Sequence, residues 1–182
     1  GRNGWGWLYY RSASRAPTSA RHRQKGHRGT VLATKLALNY GIACNTAGGS
    51  HHATSNEGAG FCVFNDVAVA AKYLTSRGLA NKILIVDLDV HQGNGNSEIF
   101  KNDNQVFTFS MHSKVNYPAK KSVSDLDIEL EENLEDREYI DILKNNLKYL
   151  NEEEFDFVFY IAGVDIHYND RLGKLNISDN GI

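Results

Sequence analysis

The chain has 182 residues, near the usual size of one globular domain, and its 41% apolar and 23% charged residues exclude a wholly disordered or collagen-like chain. No run reaches the roughly 18–20 apolar residues of a membrane helix, and the polar, arginine-rich stretch Gly1–Gly26 lacks the apolar region of a secretory signal. The net charge of −2 hides an asymmetry: residues 1–56 hold eight Lys/Arg and no acid, which leaves −10 on the rest. Gly1–Gly26 shows no helical or strand period, so residues 1–26 are read as a basic leader, disordered or non-native, rather than as a nucleic-acid contact. Val31, Leu32, Leu36 and Leu38 before Gly41 predict a short helix with a glycine stop. Ile42–Asn45 is a brief strand, and Thr46–Gly60 a loop rich in Gly, Ser and His. Asn65 caps a helix carrying Val67, Ala68, Ala70, Ala71 and Leu74. The continuous apolar run Ile83–Val86 marks a strand buried on both faces. Val106–Ser110 reads as a strand, Asp136–Leu150 as a helix and Phe155–Ala162 as another buried strand, while the acid-dense Asp125–Asp141 reads as solvated surface. The alternation predicts an α/β fold of three layers, α/β/α, around a mostly parallel sheet.

Two cysteines, Cys44 and Cys62, form no CxxC. That points away from a disulfide framework or an all-cysteine zinc site and toward a cytoplasmic protein; both are expected to pack as small apolar groups.

In open parallel sheets, ligands bind beyond the carboxyl ends of the strands. Directly after Ile83–Val86 stands Asp87-Leu88-Asp89-Val90-His91. In an extended chain, residues two apart point the same way, so Asp87, Asp89 and His91 are expected on one face. Close carboxylates repel unless a cation or a shared proton intervenes, and carboxylate and imidazole both suit zinc. A solvated acid cap at a strand end is the plainer alternative, but this three-residue pattern after a buried run is far less common than a lone Asp. Gly48-Gly49-Ser50-His51-His52 places two histidines, a base and an acid near neutral pH, in the loop after Ile42–Asn45. Gly163-Val164-Asp165 follows the last buried strand. Together the strand ends offer Asp89, His91 and Asp165 to one metal with His51 and His52 nearby, and three protein ligands with positions left open is the logic of a catalytic zinc.

GGSHHATSNEGAGFCVFND, DLDVHQGNG and AGVDIHYNDRLG resemble the signature blocks of the zinc-dependent histone deacetylase family, of the arginase/deacetylase superfamily, from about Gly29 to Ile182. HQGNG, with Asn94 rather than Asp, and DREYIDIL look most like class IV deacetylases and their bacterial relatives. The resemblance implies the arginase/deacetylase fold, truncated at both ends, with residues 27–182 as a partial domain. It implies zinc on Asp89, His91 and Asp165; His51 and His52 beside the reacting water; Asp87 orienting His51; and Asn94 as the neutral partner of His52. Gly60 and Phe61 would line the acyl-lysine channel, with Tyr117 opposite Phe61. Asp87, Ser110 and the carbonyls of Asp89, His91 and Met111 would match a potassium site.

The family's transition-state tyrosine, in a glycine-rich loop, is expected beyond Ile182. The expected activity is hydrolysis of an acetylated amine, foremost acetyl-lysine in a protein. The alternatives are a small acetylated amine such as a polyamine, or a fragment that binds acyl-lysine without cleaving it. His112 and His167 receive no role, and the oligomeric state is left open. The site of action is expected to be cytoplasmic, or nuclear in a eukaryote, with no membrane association.

Overall fold

The computed structural model describes residues 6–11 and 20–182, with side chains from residue 28 onward. Six strands, β1 (Gly6–Arg11), β2 (Ile42–Asn45), β3 (Ile83–Asp87), β4 (Val106–Ser113), β5 (Leu126–Leu130) and β6 (Phe157–Ala162), form one sheet in the order β2-β1-β6-β3-β4-β5. Every neighbouring pair is parallel. The helices are α1 (Ala20–Tyr40), α2 (Asp66–Ser76), α3 (Asn94–Phe100) and α4 (Asp136–Leu150).

The alternation of β3 and β6 builds the layers. Ile83, Ile85, Phe157, Phe159 and Ile161 face one side, where they pack on Ala33 and Ala37 of α1, on Val67, Ala70, Ala71 and Leu74 of α2, and on Phe100 of α3. Leu84, Val86 and Val158 face the other, against Phe109 and Met111 of β4 and Tyr139 and Leu150 of α4. Both faces of the central strands are thus covered, as their unbroken apolar runs demand. Small alanines let α2 lie close on the sheet, and its first turn is closed by Asn65, whose side chain accepts from the Ala68 N–H at 2.8 Å. Truncating a fully buried ring such as Phe159 would cost about 3–5 kcal/mol.

Three stretches differ from the sequence reading. Within the expected leader, Gly6–Arg11 is a strand between β2 and β6, and α1 begins at Ala20 rather than near Val31; residues 1–5 and 12–19 of that leader lie outside the described residues. Within the expected solvated surface, Leu126, Ile128 and Leu130 alternate with Asp127 and Glu129 to make β5, an edge strand half-covered on one side. Asn94–Phe100, rich in Gly and Asn, is helical although its composition opposes a helix; Phe100 buried in the core is what anchors it. Cys44 is exposed on the edge strand β2 rather than packed, and Cys62 is half-buried. Among the described residues no helix is long and apolar enough to cross a membrane.

Candidate metal centre

The carboxyl ends of β2, β3, β4 and β6 converge on one end of the sheet. Strand β3 stops at Asp87, and the chain then bends: Leu88 N–H donates to the Ile161 carbonyl (3.0 Å), Asp89 N–H to Oδ1 of Asp87 (3.1 Å) and Val90 N–H to Oδ1 of Asp165 (3.0 Å). The expectation that Asp87, Asp89 and His91 share one strand face is therefore corrected, because only Asp87 lies in the strand. Asp87 turns toward His51, whereas Asp89 and His91 turn toward Asp165.

One ligand atom from each of Asp89, His91 and Asp165 lies within 4.8 Å of the others. Nδ1 of His91 is 2.9 Å from Oδ1 of Asp89 and 3.1 Å from Oδ2 of Asp165. A tetrahedral zinc with bonds of about 2.0–2.1 Å separates its ligands by about 3.3 Å, so this donor set and spacing fit the ion. Without a cation, burial works against a charged His91, but the hydrogen bonds to Asp165 and Asp89 outweigh it and raise the ring to about 10.

His51 and His52 stand beside this cluster with ring centroids 4.0 Å apart. Their loop is tied to the start of α3, where the Gly95 and Asn96 N–H groups both donate to the His51 carbonyl (3.0 and 3.3 Å). Nδ1 of His51 is 2.6 Å from Oδ2 of Asp87, and Nε2 is 3.8 Å from Oδ1 of Asp89. Nδ1 of His52 is 2.7 Å from Oδ1 of Asn94. The two buried rings therefore differ in kind. Burial opposes charge on His51, yet the carboxylates of Asp87 and Asp89 prevail and lift it to about 9. Burial, then repulsion from His51, pulls His52 down to about 3, because the neutral Asn94 amide offsets little.

Of the three residues expected to line a channel, Tyr117 and Gly60 lie against His52. The ring of Tyr117 meets His52 edge-on, with centroids 4.8 Å apart at 84°. Gly60 has φ +51°, and a Cβ there would stand 2.2 Å from Cδ2 of His52, so only glycine lets the chain pass over the ring. Phe61, also in the left-handed region at φ +64°, projects fully into solvent. Of the set expected to hold potassium, Asp87 and Ser110 are register partners on β3 and β4, and Met111 is buried beside them. The Ser110 hydroxyl accepts from the Gly93 N–H at 3.3 Å and lies 3.0 Å from Nδ1 of His112. His167 pairs with Asp179, Nε2 to Oδ1 at 3.2 Å.

Sequence reasoning passed over Gln92. It is fully buried: its Nε2 donates to the Ser122 carbonyl and to Oδ1 of Asp127 (both 2.9 Å), its Oε1 accepts from Ser122 N–H (2.8 Å), and its own N–H donates to the Tyr117 carbonyl (3.2 Å). It couples the stretch that carries Asp89 and His91 to the segment that carries Tyr117.

The histone deacetylase domain family matches residues 12–182. The chain is 54% identical over 155 residues to an uncharacterized protein of Picosynechococcus sp., covering 85% of this chain and 52% of that protein. It is 36% identical over 159 residues to Histone deacetylase 2 of Arabidopsis thaliana, covering 85% of this chain and 41% of that one. In structure it is similar to a histone deacetylase homolog crystallised with SAHA, with a TM-score of 0.80 at 28% identity over 94% of this chain and 50% of that one. The chain thus spans about half the length of the relatives it matches.

Proposed function

This chain belongs to the histone deacetylase family, with its arginase/deacetylase fold, and from that premise we propose that it serves the zinc-dependent hydrolysis of an acetylated amine, foremost acetyl-lysine in a protein. The observation that carries the reading is the convergence of Asp89, His91 and Asp165 beside the paired rings of His51 and His52. Asp89, His91 and Asp165 would hold the zinc, which when bound supplies Lewis-acid polarisation of an amide carbonyl and acidification of water.

The chain's own groups supply the rest. His52, whose Nδ1–H is engaged by a neutral amide, keeps Nε2 free to take a proton from the attacking water. His51, held by Asp87, keeps the pair positively charged and fixes the neighbouring ring. Delivery of a proton to the leaving amine then falls to His52, the ring that has just gained one. Tyr117, Gly60 and Phe61 form the entrance, an apolar surround suited to the methylene stem of lysine. The motif match also assigns potassium to Asp87, Ser110 and the carbonyls of Asp89, His91 and Met111, and the side-by-side placement of Asp87 and Ser110 supports that assignment.

The test measures zinc content and acetate release together. We expect stoichiometric zinc in the wild-type chain, lost in Asp89→Asn, and acetate released from an acetyl-lysine peptide faster than from an acetylated polyamine. Preference for the polyamine would move the substrate to the small-amine class. Zinc without acetate release from either would mark this chain as a binding module, and no zinc in a folded sample would reject the site.

A further inference from the structure

We propose that Asp66, outside the metal cluster and its histidine partners, is a positioning residue that holds the His51–His52 pair in place. Asp66 opens helix α2 and is only 1% exposed, yet its carboxylate reaches out of the helix into the histidine loop. Oδ1 accepts from the Ser50 N–H at 2.7 Å, and Oδ2 accepts from the Gly49 N–H at 3.2 Å and from the Thr30 hydroxyl of α1. The N–H groups gripped are those of the two residues immediately before His51.

The exit of the pair is gripped by the preceding residue. Nδ2 of Asn65 donates to the Ala53 carbonyl at 3.2 Å and to Oδ1 of Asn96 at 2.7 Å, while its Oδ1 caps α2. Two consecutive side chains on a rigid helix start therefore bracket His51 and His52, one before and one after. A loop rich in glycine has no local means of holding two rings to a fraction of an ångström. Bonds from backbone N–H to a buried carboxylate are charge-assisted and roughly twice as strong as neutral ones, so Asp66 is the firmer of the two grips.

Favourable interaction of an acid with the helix N-terminus would by itself make Asp66 a stabiliser of α2. That role predicts a lower unfolding midpoint on substitution and nothing at the histidines. The catalytic weight of the placement rests on the deacetylase reading above; the placement itself does not, so the experiment reads the two separately.

In the full chain, Asp66→Asn keeps one acceptor oxygen but removes the charge. Circular dichroism reports whether it folds. The diagnostic signal is the strongly hydrogen-bonded Nδ1 proton of His51 in the NMR spectrum, which we expect to be lost or broadened in a folded Asp66→Asn chain. Thr30→Val, which removes one hydrogen bond to Oδ2 and leaves both backbone N–H grips in place, should keep it. Amide exchange at Gly49 and Ser50 should quicken by at least about tenfold, as the loss of a hydrogen bond to a charged group implies. Where acetate release is measurable, kcat should fall with KM little changed. An unaltered His51 signal and unaltered exchange in folded Asp66→Asn would overturn the proposal. If that variant fails to fold, the wild-type chain decides: Gly49 and Ser50 amides exchanging as fast as free loop amides would overturn it equally. Absence of acetate release from the wild type would count against the deacetylase reading and leave these signals to judge the placement.

Discussion

Nδ1 of His51 and Oδ2 of Asp87, thirty-six positions apart in sequence, are 2.6 Å apart in a buried pair. The carboxylate outweighs burial and lifts the ring to about 9. Because the folded value lies above the unfolded one, near 6.5, the pair's contribution to stability is complete below about pH 6.5. It is lost as pH rises through about 9. In metal-free protein, the stability gap between wild type and Asp87→Asn should therefore be widest at pH 6 and narrow by pH 9, read from urea midpoints. A gap that does not change with pH would show that the pair is not ionic.

The second ring offers the opposite test. Burial, then repulsion from His51, holds His52 near 3, and its uncharged partner Asn94 offsets little of this. Asn94→Asp places a carboxylate at the same distance and should raise the ring by about 1–3 units, seen by NMR titration of metal-free chain. In an active chain the same change should move the acid limb of the pH–rate profile to higher pH, since a protonated His52 has no lone pair to accept with.

At the far end of the chain, Asp136 in the first turn of α4 accepts from the hydroxyl and the N–H of Ser178 at 2.5 and 2.7 Å. The hydroxyl first, and then the N–H, hold this carboxyl below the ordinary range. A depressed folded value means stability present above the unfolded pKa of about 3.9 and lost as pH falls through the folded one. Exchange protection of the Ser178 amide should accordingly be high at pH 7 and fall in strong acid. In Asp136→Ala it should be low at both.

Much of this was legible because burial leaves a continuous apolar run. Ile83–Val86 located β3, and the Asp-x-Asp-x-His that follows pointed to the cluster of Asp89, His91 and Asp165. Periodicity located α2 and α4, and the cap residue Asn65 marked the start of α2. Elements without such marks escaped. In β1 the aromatic-rich Trp7-Leu8-Tyr9-Tyr10 is a strand signal, but glycine and arginine around it dilute the period. In β5 the alternation Leu126, Ile128, Leu130 was present and was masked by acid density. Asn94–Phe100 is helical through tertiary contact, which no local propensity reports. The geometry of the site was less legible than its residue types. That Asp87 serves His51 while Asp89 and His91 face Asp165 depends on where β3 ends and bends, and that Asp66 grips Gly49 and Ser50 depends on how α2 sits on the loop. To a sequence reader Asp66 is only an acid at a helix start.

Two glycines separate backbone cost from steric cost. Gly60 and Gly78 share left-handed backbone, φ +51° and +63°, but a Cβ at Gly78 meets nothing within 4 Å whereas at Gly60 it strikes the His52 ring. Gly78→Ala should cost about 1–2 kcal/mol by conformation alone and leave His52 untouched. Gly60→Ala should cost more and shift the His52 imidazole signals. Equal effects from both would mean that the ring moves aside freely.

Gln92 sets a final expectation. Its buried amide answers both backbone groups of Ser122 and the carboxylate of Asp127, two half-buried residues. Gln92→Ala leaves these groups unpaired, at about 1–3 kcal/mol for each one kept from water. We expect a loss of about 2–4 kcal/mol in urea unfolding, since some of the freed groups regain water at the loop surface. The same change frees the segment bearing Tyr117, so the ring's edge contact with His52 should weaken and KM for an acetyl-lysine peptide should rise more than kcat falls. Gln92→Glu keeps the shape but faces Asp127 with a second carboxylate and turns a donor into an acceptor, so at neutral pH it should be no better than alanine. Recovery of wild-type stability by Gln92→Glu would show that shape, rather than the paired donors and acceptors, is what holds the segment.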